Sequence, residues 1–244
     1  TLIHEQNVVP SRSNRVLSRF VKRIAISFDK SRSYFSSGKV ILTGCPCKDS
    51  VPQKSKAEIY KDFGFLEGVP IIFVIGGSQG SRKINEEFSK AAVMLKGVFD
   101  FQFIHICGPA DYDRLKKEYE KTKIKYQLFD FLDDVQSVYA IADLVIARSG
   151  AATVCEILSF QKQAILIPYP LLRVHQRENA QILSEKGLAK IIDDSECFST
   201  RLKGEILDTF QKMKNKSESP AIVPADAMNK PQEKIAQEIT RLAL

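Results

Sequence analysis

From residue 70 onward the chain alternates short apolar runs with runs of helical periodicity, and this alternation limits the possible folds more than any other feature. VPIIFVI, FQFIHICG, YQLFDF, LVIAR, QAILIPYP and AKIID read as strands. Between them, RKINEEFSKAAVML, DRLKKEYEKT, DDVQSVYAIA, AATVCEILSF and RENAQILSEKG carry apolar residues at helical spacing. Strands apolar on both faces must be covered twice, and strand–helix–strand crossovers join parallel neighbours in the right-handed sense. The pattern therefore predicts an α/β fold, a Rossmann-like parallel sheet with helices on both faces. PQEKIAQEITRLAL adds a final amphipathic helix.

Residues 1–48 hold one helix-like stretch, SRSNRVLSRFVKR, and two strand-like ones, IAISF and KVILTG. The polar CKDSVPQKSK that follows reads as a linker. Three parts result: 1–48, a linker region over 49–69, and a domain over 70–244. With 244 residues, 44% of them apolar, a sizeable core is within reach. No apolar run approaches the roughly 18–20 residues of a membrane span, and no secretory leader is visible. The chain opens on Thr1 rather than Met, which suggests a fragment, a processed chain or an incomplete gene model.

The net charge of +7 comes from lysines interleaved with acids, as in KAEIYKDFGFLEG. A solvated surface fits that better than a nucleic-acid partner. The five cysteines are odd in number and irregular in spacing. Cys45-Pro46-Cys47 is not C-x-x-C, and reduced free thiols are expected. No spacing suggests a metal site, a cofactor motif or a serine-hydrolase elbow. His105, in an alternating apolar strand, is expected to be partly buried.

In open parallel sheets, ligands bind beyond the carboxyl ends of the strands. Three loops there are unusual. The first is GGSQGS, residues 76–81, where glycines allow close backbone approach and Ser78 offers a hydroxyl. With the following helix N-terminus it suits a phosphate or diphosphate; it also suits a plain tight turn capped by Ser81. The second is ARSGAATVCE, residues 147–156, where Glu156 can accept from the two hydroxyls of a ribose or simply favour the positive helix end. The third is PYPLLRVHQREN, residues 168–179, whose Gln176 and Asn179 amides suit sugar hydroxyls, unless the segment is only an exposed polar helix start.

HEQN (4–7), TGCP (43–46), GGSQGS (76–81), FLDD (131–134), RSGAATVCE (148–156) and HQREN (175–179) together resemble, in order and approximate spacing, the MurG family of glycosyltransferases. Those peptidoglycan enzymes transfer N-acetylglucosamine from UDP-GlcNAc to undecaprenyl-diphospho-muramoylpentapeptide, lipid I. The resemblance implies a GT-B fold of two Rossmann-like domains with the donor between them. Residues 1–48 would be the tail of a truncated acceptor domain, and 70–244 the UDP-GlcNAc domain. It places Ser78 at the diphosphate and Leu132 at the uracil through its backbone. Ala151, Ala152, Thr153, Val154, Cys155 and Glu156 would line the nucleotide, with Glu156 on the ribose. Gln176 would hold the sugar, and Asn7 would reach it from the other domain. It also implies an inverting hexosyltransferase needing no cofactor, peripheral on the cytoplasmic face of the bacterial inner membrane. The family's T-G-N-P-V-R is here Thr43-Gly44-Cys45-Pro46-Cys47-Lys48, so Lys48 keeps a charge at the donor but not the fork of Arg. No residue stands out as the general base; His4 and His175 are the first to test. A donor-binding subunit of a split GlcNAc transferase, another UDP-sugar lipid glycosyltransferase and a UDP-sugar epimerase are the alternative readings.

Overall fold

The computed structural model describes residues 1–47, 52–171, 175–215 and 230–243; Lys48 lies outside them. The first sheet has three parallel strands in the order β1-β2-β3: β1 (Leu2–Glu5), β2 (Arg23–Ile26) and β3 (Val40–Leu42). The second has six, all parallel: β4 (Ile71–Ile75), β5 (Gln102–Ile106), β6 (Tyr126–Phe129), β7 (Leu144–Ala147), β8 (Gln163–Leu166) and β9 (Ala189–Ile191). Its spatial order is β6-β5-β4-β7-β8-β9. The order reverses direction between β4 and β7, which opens a crevice beyond their carboxyl ends.

Period-two alternation sends successive strand residues to opposite faces. Phe73, Ile104, Val145 and Leu166 pack under α5 (Val135–Ile141), α6 (Ala151–Ser159) and α7 (Gln176–Glu185). Ile72, Val74, Phe103 and Ile146 pack under α3 (Arg82–Leu95), α4 (Tyr112–Tyr119) and α8 (Ser199–Asn215). Every one of these strand side chains is fully buried, each worth about 1.5–3 kcal/mol.

Three elements differ from the sequence reading or add to it. β1 forms from LIHE, whose polar residues hide its strand character. Within 49–69, α2 (Lys56–Phe63) forms behind a Ser55–Glu58 capping box and buries Ile59 against the large sheet. Near the N-terminus, α1 spans only Arg12–Leu17. The last helix, α9 (Pro231–Ala243), returns to the first sheet. Its Glu238 lies 3.7 Å from Arg23, and its Gln232 amide donates to the Cys47 carbonyl.

Candidate functional site

The loops after β4, β7 and β8 precede α3, α6 and α7 in chain order. At all three helix starts the N-cap residue (Ser81, Gly150 and His175) makes no side-chain capping bond. By contrast, α1, α2 and α5 are capped by Ser11, Ser55 and Asp134. The helix starts at the crevice thus offer backbone N–H groups and positive dipole ends to whatever lies there.

The GGSQGS turn is shaped by its neighbour as well as by its own glycines. Gly80 has φ +75°, and a Cβ there would lie 1.9 Å from the Cys107 carbonyl oxygen, so only glycine fits. The turn leaves Ser78 and Gln79 exposed at its tip. Ser81, expected as a cap, instead accepts a hydrogen bond from Arg148 Nε at 3.1 Å.

Arg148 is the organising cation that the sequence reading passed over. It is buried, and its Nη1 donates to the Ile167 carbonyl at 3.1 Å, the Pro168 carbonyl at 3.3 Å and Asp194 Oδ1 at 2.5 Å. One guanidinium therefore binds the ends of β4, β7 and β8 into one rim. Its forked donors are what allow this.

Gln176 and Asn179 do similar work. Gln176 Oε1 accepts from Ser149 N at 3.2 Å and Tyr169 N at 2.9 Å, leaving its amide nitrogen as the group that can meet a ligand. Asn179 is completely buried; its Oδ1 accepts from Val8 N at 3.0 Å, and its Nδ2 donates to Asn7 Oδ1 at 3.0 Å and Ser149 O at 3.3 Å. Asn7 is braced from its own side by Glu5. That buried carboxylate accepts from Asn7 N at 2.8 Å, Ser11 N at 2.9 Å and Asn14 Nδ2 at 2.9 Å. Asn7 is thus brought to the rim of the second sheet. Asn179, expected at sugar hydroxyls, is instead completely buried with both amide atoms engaged inside the protein, and it acts through Asn7; Glu5 was missed as an organiser because its partners are mostly backbone atoms or lie further along the chain.

On α6, Ala152 is exposed and Thr153 and Glu156 are partly exposed, so they share an accessible face. Ala151, Val154 and Cys155 are buried, and Val154 belongs to the core. Glu156 lies close to Tyr139, whose hydroxyl is pushed up by burial and then by the Glu156 charge. Leu132 follows β6 and packs against the core edge. His4 Nε2 lies 3.2 Å from the Gly44 carbonyl. His175 has φ 49°, with Nδ1 3.5 Å from Glu178 Oε1.

His105 is wholly rather than partly buried, between Tyr119 OH at 2.8 Å and Asn85 Oδ1 at 3.0 Å. Burial lowers its pKa to about 3. It is a neutral core imidazole that braces Asn85 against the Cys107 carbonyl, 2.9 Å away, which abuts the glycine turn. A separate cleft of about 670 Å³ lies between the first sheet's loops and α7, lined by Val8, Lys30, Tyr34 and Glu178 among others. It does not include the glycine turn.

Residues 71–239 match the glycosyltransferase family 28 C-terminal domain. Over 221 residues the chain is 37% identical to the UDP-N-acetylglucosamine--N-acetylmuramyl-(pentapeptide) pyrophosphoryl-undecaprenol N-acetylglucosamine transferase of Thermodesulfovibrio yellowstonii, covering 89% of this chain and 59% of that one. The chain thus spans about three-fifths of that curated relative. The crystal structure of Acinetobacter baumannii MurG superposes with a TM-score of 0.65 at 27% identity, over 86% of this chain and 57% of that one. The Neisseria meningitidis UDP-GlcNAc 2-epimerase bound to UDP-GlcNAc superposes with a TM-score of 0.66 over 93% of this chain and 63% of that one; at 13% identity it shares the fold alone. The match over most of the chain is decisive: it belongs to glycosyltransferase family 28 and carries that family's C-terminal domain.

Proposed function

We propose that this chain supplies the donor-binding part of an inverting transferase that moves N-acetylglucosamine from UDP-GlcNAc to undecaprenyl-diphospho-muramoylpentapeptide. The observation that carries the proposal is the convergence at the sheet's reversal point of helix starts without side-chain caps, beside a glycine turn, in a family 28 domain. The names of the relatives support the substrate pair.

In this reading Ser78 and the amides at the start of α3 meet the diphosphate. Glu156 accepts from the ribose hydroxyls, and the accessible face of Ala152 and Thr153 lines the nucleotide with Ala151. Val154 and Cys155, buried beneath, set the position of that face. Leu132 presents its backbone to the uracil, the Gln176 amide nitrogen donates to the sugar, and Asn7 reaches it from the first sheet.

An acceptor hydroxyl oxygen attacks the anomeric carbon from the face opposite UDP. The anomeric C–O bond breaks, and its electrons pass to the leaving diphosphate. Fixed N–H groups and helix ends stabilise that growing charge without reorganising. The acceptor proton passes to a general base. The acceptor is membrane-borne, so the reaction belongs at the cytoplasmic membrane surface; no described helix is long and apolar enough to cross it.

Titration calorimetry with UDP, ADP and GDP tests the donor assignment. UDP should bind most tightly. Equal affinity for all three would remove the uridine assignment.

A further inference from the structure

Cys45, Cys47 and Cys155 come together although they are remote in sequence. Their Sγ atoms all lie within 4.8 Å of one another, and all three thiols are free. Cys45 and Cys47 follow β3 in the first sheet's unit, and Cys155 lies on α6 over the second sheet. Three sulfurs sharing one ion at about 2.3 Å stand roughly 3.8–4.0 Å apart, so small side-chain movements bring this set to ligand geometry.

The three thiols sit at a packed boundary rather than on open surface. Cys155 is buried and the other two are half-buried, all against the main core. The buried Ser27 hydroxyl, beside Cys45, meets hydrogen-bond geometry with no other group. The Cys45–Cys47 segment is held at both ends: His4 Nε2 lies at the Gly44 carbonyl and the Gln232 amide of α9 at the Cys47 carbonyl. The expectation of scattered thiols with no metal spacing missed this because C-x-C supplies two ligands and the third comes from the other unit.

We propose that Cys45, Cys47 and Cys155 form a three-thiolate site for a soft d¹⁰ cation such as Zn(II) or Cu(I), which clasps the first sheet's unit to α6. Soft sulfur ligands without carboxylates select such ions over Mg(II) or Ca(II). Binding displaces the thiol protons into solvent. Because the ligands come from both units, an occupied site holds α6 at a fixed distance from β3.

The test uses the full, reduced chain titrated with Cd(II) as the probe, followed by sulfur-to-metal charge-transfer absorbance. The expected result is saturation at one Cd(II) per chain, competition by Zn(II) but not Mg(II), and protection of Cys45, Cys47 and Cys155 from a thiol reagent. Cys107 and Cys197 should gain no protection from the metal. Each of Cys45→Ser, Cys47→Ser and Cys155→Ser should weaken Cd(II) by more than about a hundredfold, beyond the roughly 10–100-fold loss from a residue that only supports a ligand. The protection pattern is read on the unmodified chain, so it decides the question even if a serine variant does not fold. A band that does not saturate, protection that omits Cys155, or a disulfide within the cluster that persists when Cd(II) is added would each overturn the proposal.

Discussion

Asn179 Nδ2 donates to Asn7 Oδ1 at 3.0 Å across a sequence separation of 172 residues, joining the start of α7 to the loop after β1. The same buried amide accepts from Val8 N and donates to Ser149 O. Asn179→Ala therefore orphans a buried backbone N–H and releases Asn7. The expected loss is about 1–3 kcal/mol, read by urea unfolding. A loss below a few tenths would mean that water replaces the amide.

Arg148 should not tolerate lysine. A lysine cannot span Ser81, the Ile167 and Pro168 carbonyls and Asp194 together. Asp194 keeps some exposure, so Arg148→Lys should cost about 2–3 kcal/mol, below the roughly 3–5 of a fully buried broken pair. UDP affinity should fall with it, because the loops of β4, β7 and β8 lose their common tie. Unfolding and UDP titration on one variant measure both.

The two glycines of the turn should separate. A Cβ at Gly77 meets nothing within 4 Å despite φ +95°, whereas at Gly80 it collides with the Cys107 carbonyl. Gly77→Ala should cost about 1–2 kcal/mol of backbone strain, and Gly80→Ala clearly more. Similar thermal midpoints for the two variants would contradict the packing of the turn on the Cys107–Gly108 loop.

His105 gives the fold a defined acid sensitivity. Its folded pKa is about 3, below its ordinary value because of burial. The unfolded chain takes up a proton near pH 6.5 that the folded chain refuses. The His105 contribution is thus whole above pH 6.5 and is lost as pH falls toward 3, about 2 kcal/mol by pH 5. His105→Gln should flatten that part of the stability profile between pH 7 and pH 5. An unchanged slope would place the acid sensitivity elsewhere.

Under the donor proposal, Glu156→Ala lowers UDP affinity by about 1.5–3 kcal/mol. The difference should shrink with a 2′,3′-dideoxy analogue. Equal losses with both ligands would take the ribose away from Glu156.

The large sheet was legible because each strand is a buried apolar run and each crossover keeps helical spacing; α3 matches RKINEEFSKAAVML residue for residue. β1 was not, since His4 and Glu5 interrupt its apolar pattern and its pairing comes from β2. α2 hid inside a stretch that reads as a polar linker, its one buried anchor being Ile59. In the site, the glycine turn and the polar start of α7 announced themselves locally. Arg148 and the thiol cluster did not, and Asn179 was read as a sugar ligand although its amide is spent on Val8, Asn7 and Ser149, because such partners are backbone groups or residues from distant segments. Local spacing carries no record of such partners.

Hydrogen exchange of the full chain with and without saturating UDP tests the central claim most directly, because it reads where the ligand sits. The account predicts slowed exchange at the amides of residues 76–82 and 150–153, with residues 29–34 beside the separate cleft unchanged. Protection confined to residues 29–34 and the face of α7 around Glu178, with the glycine turn exchanging as before, would contradict it.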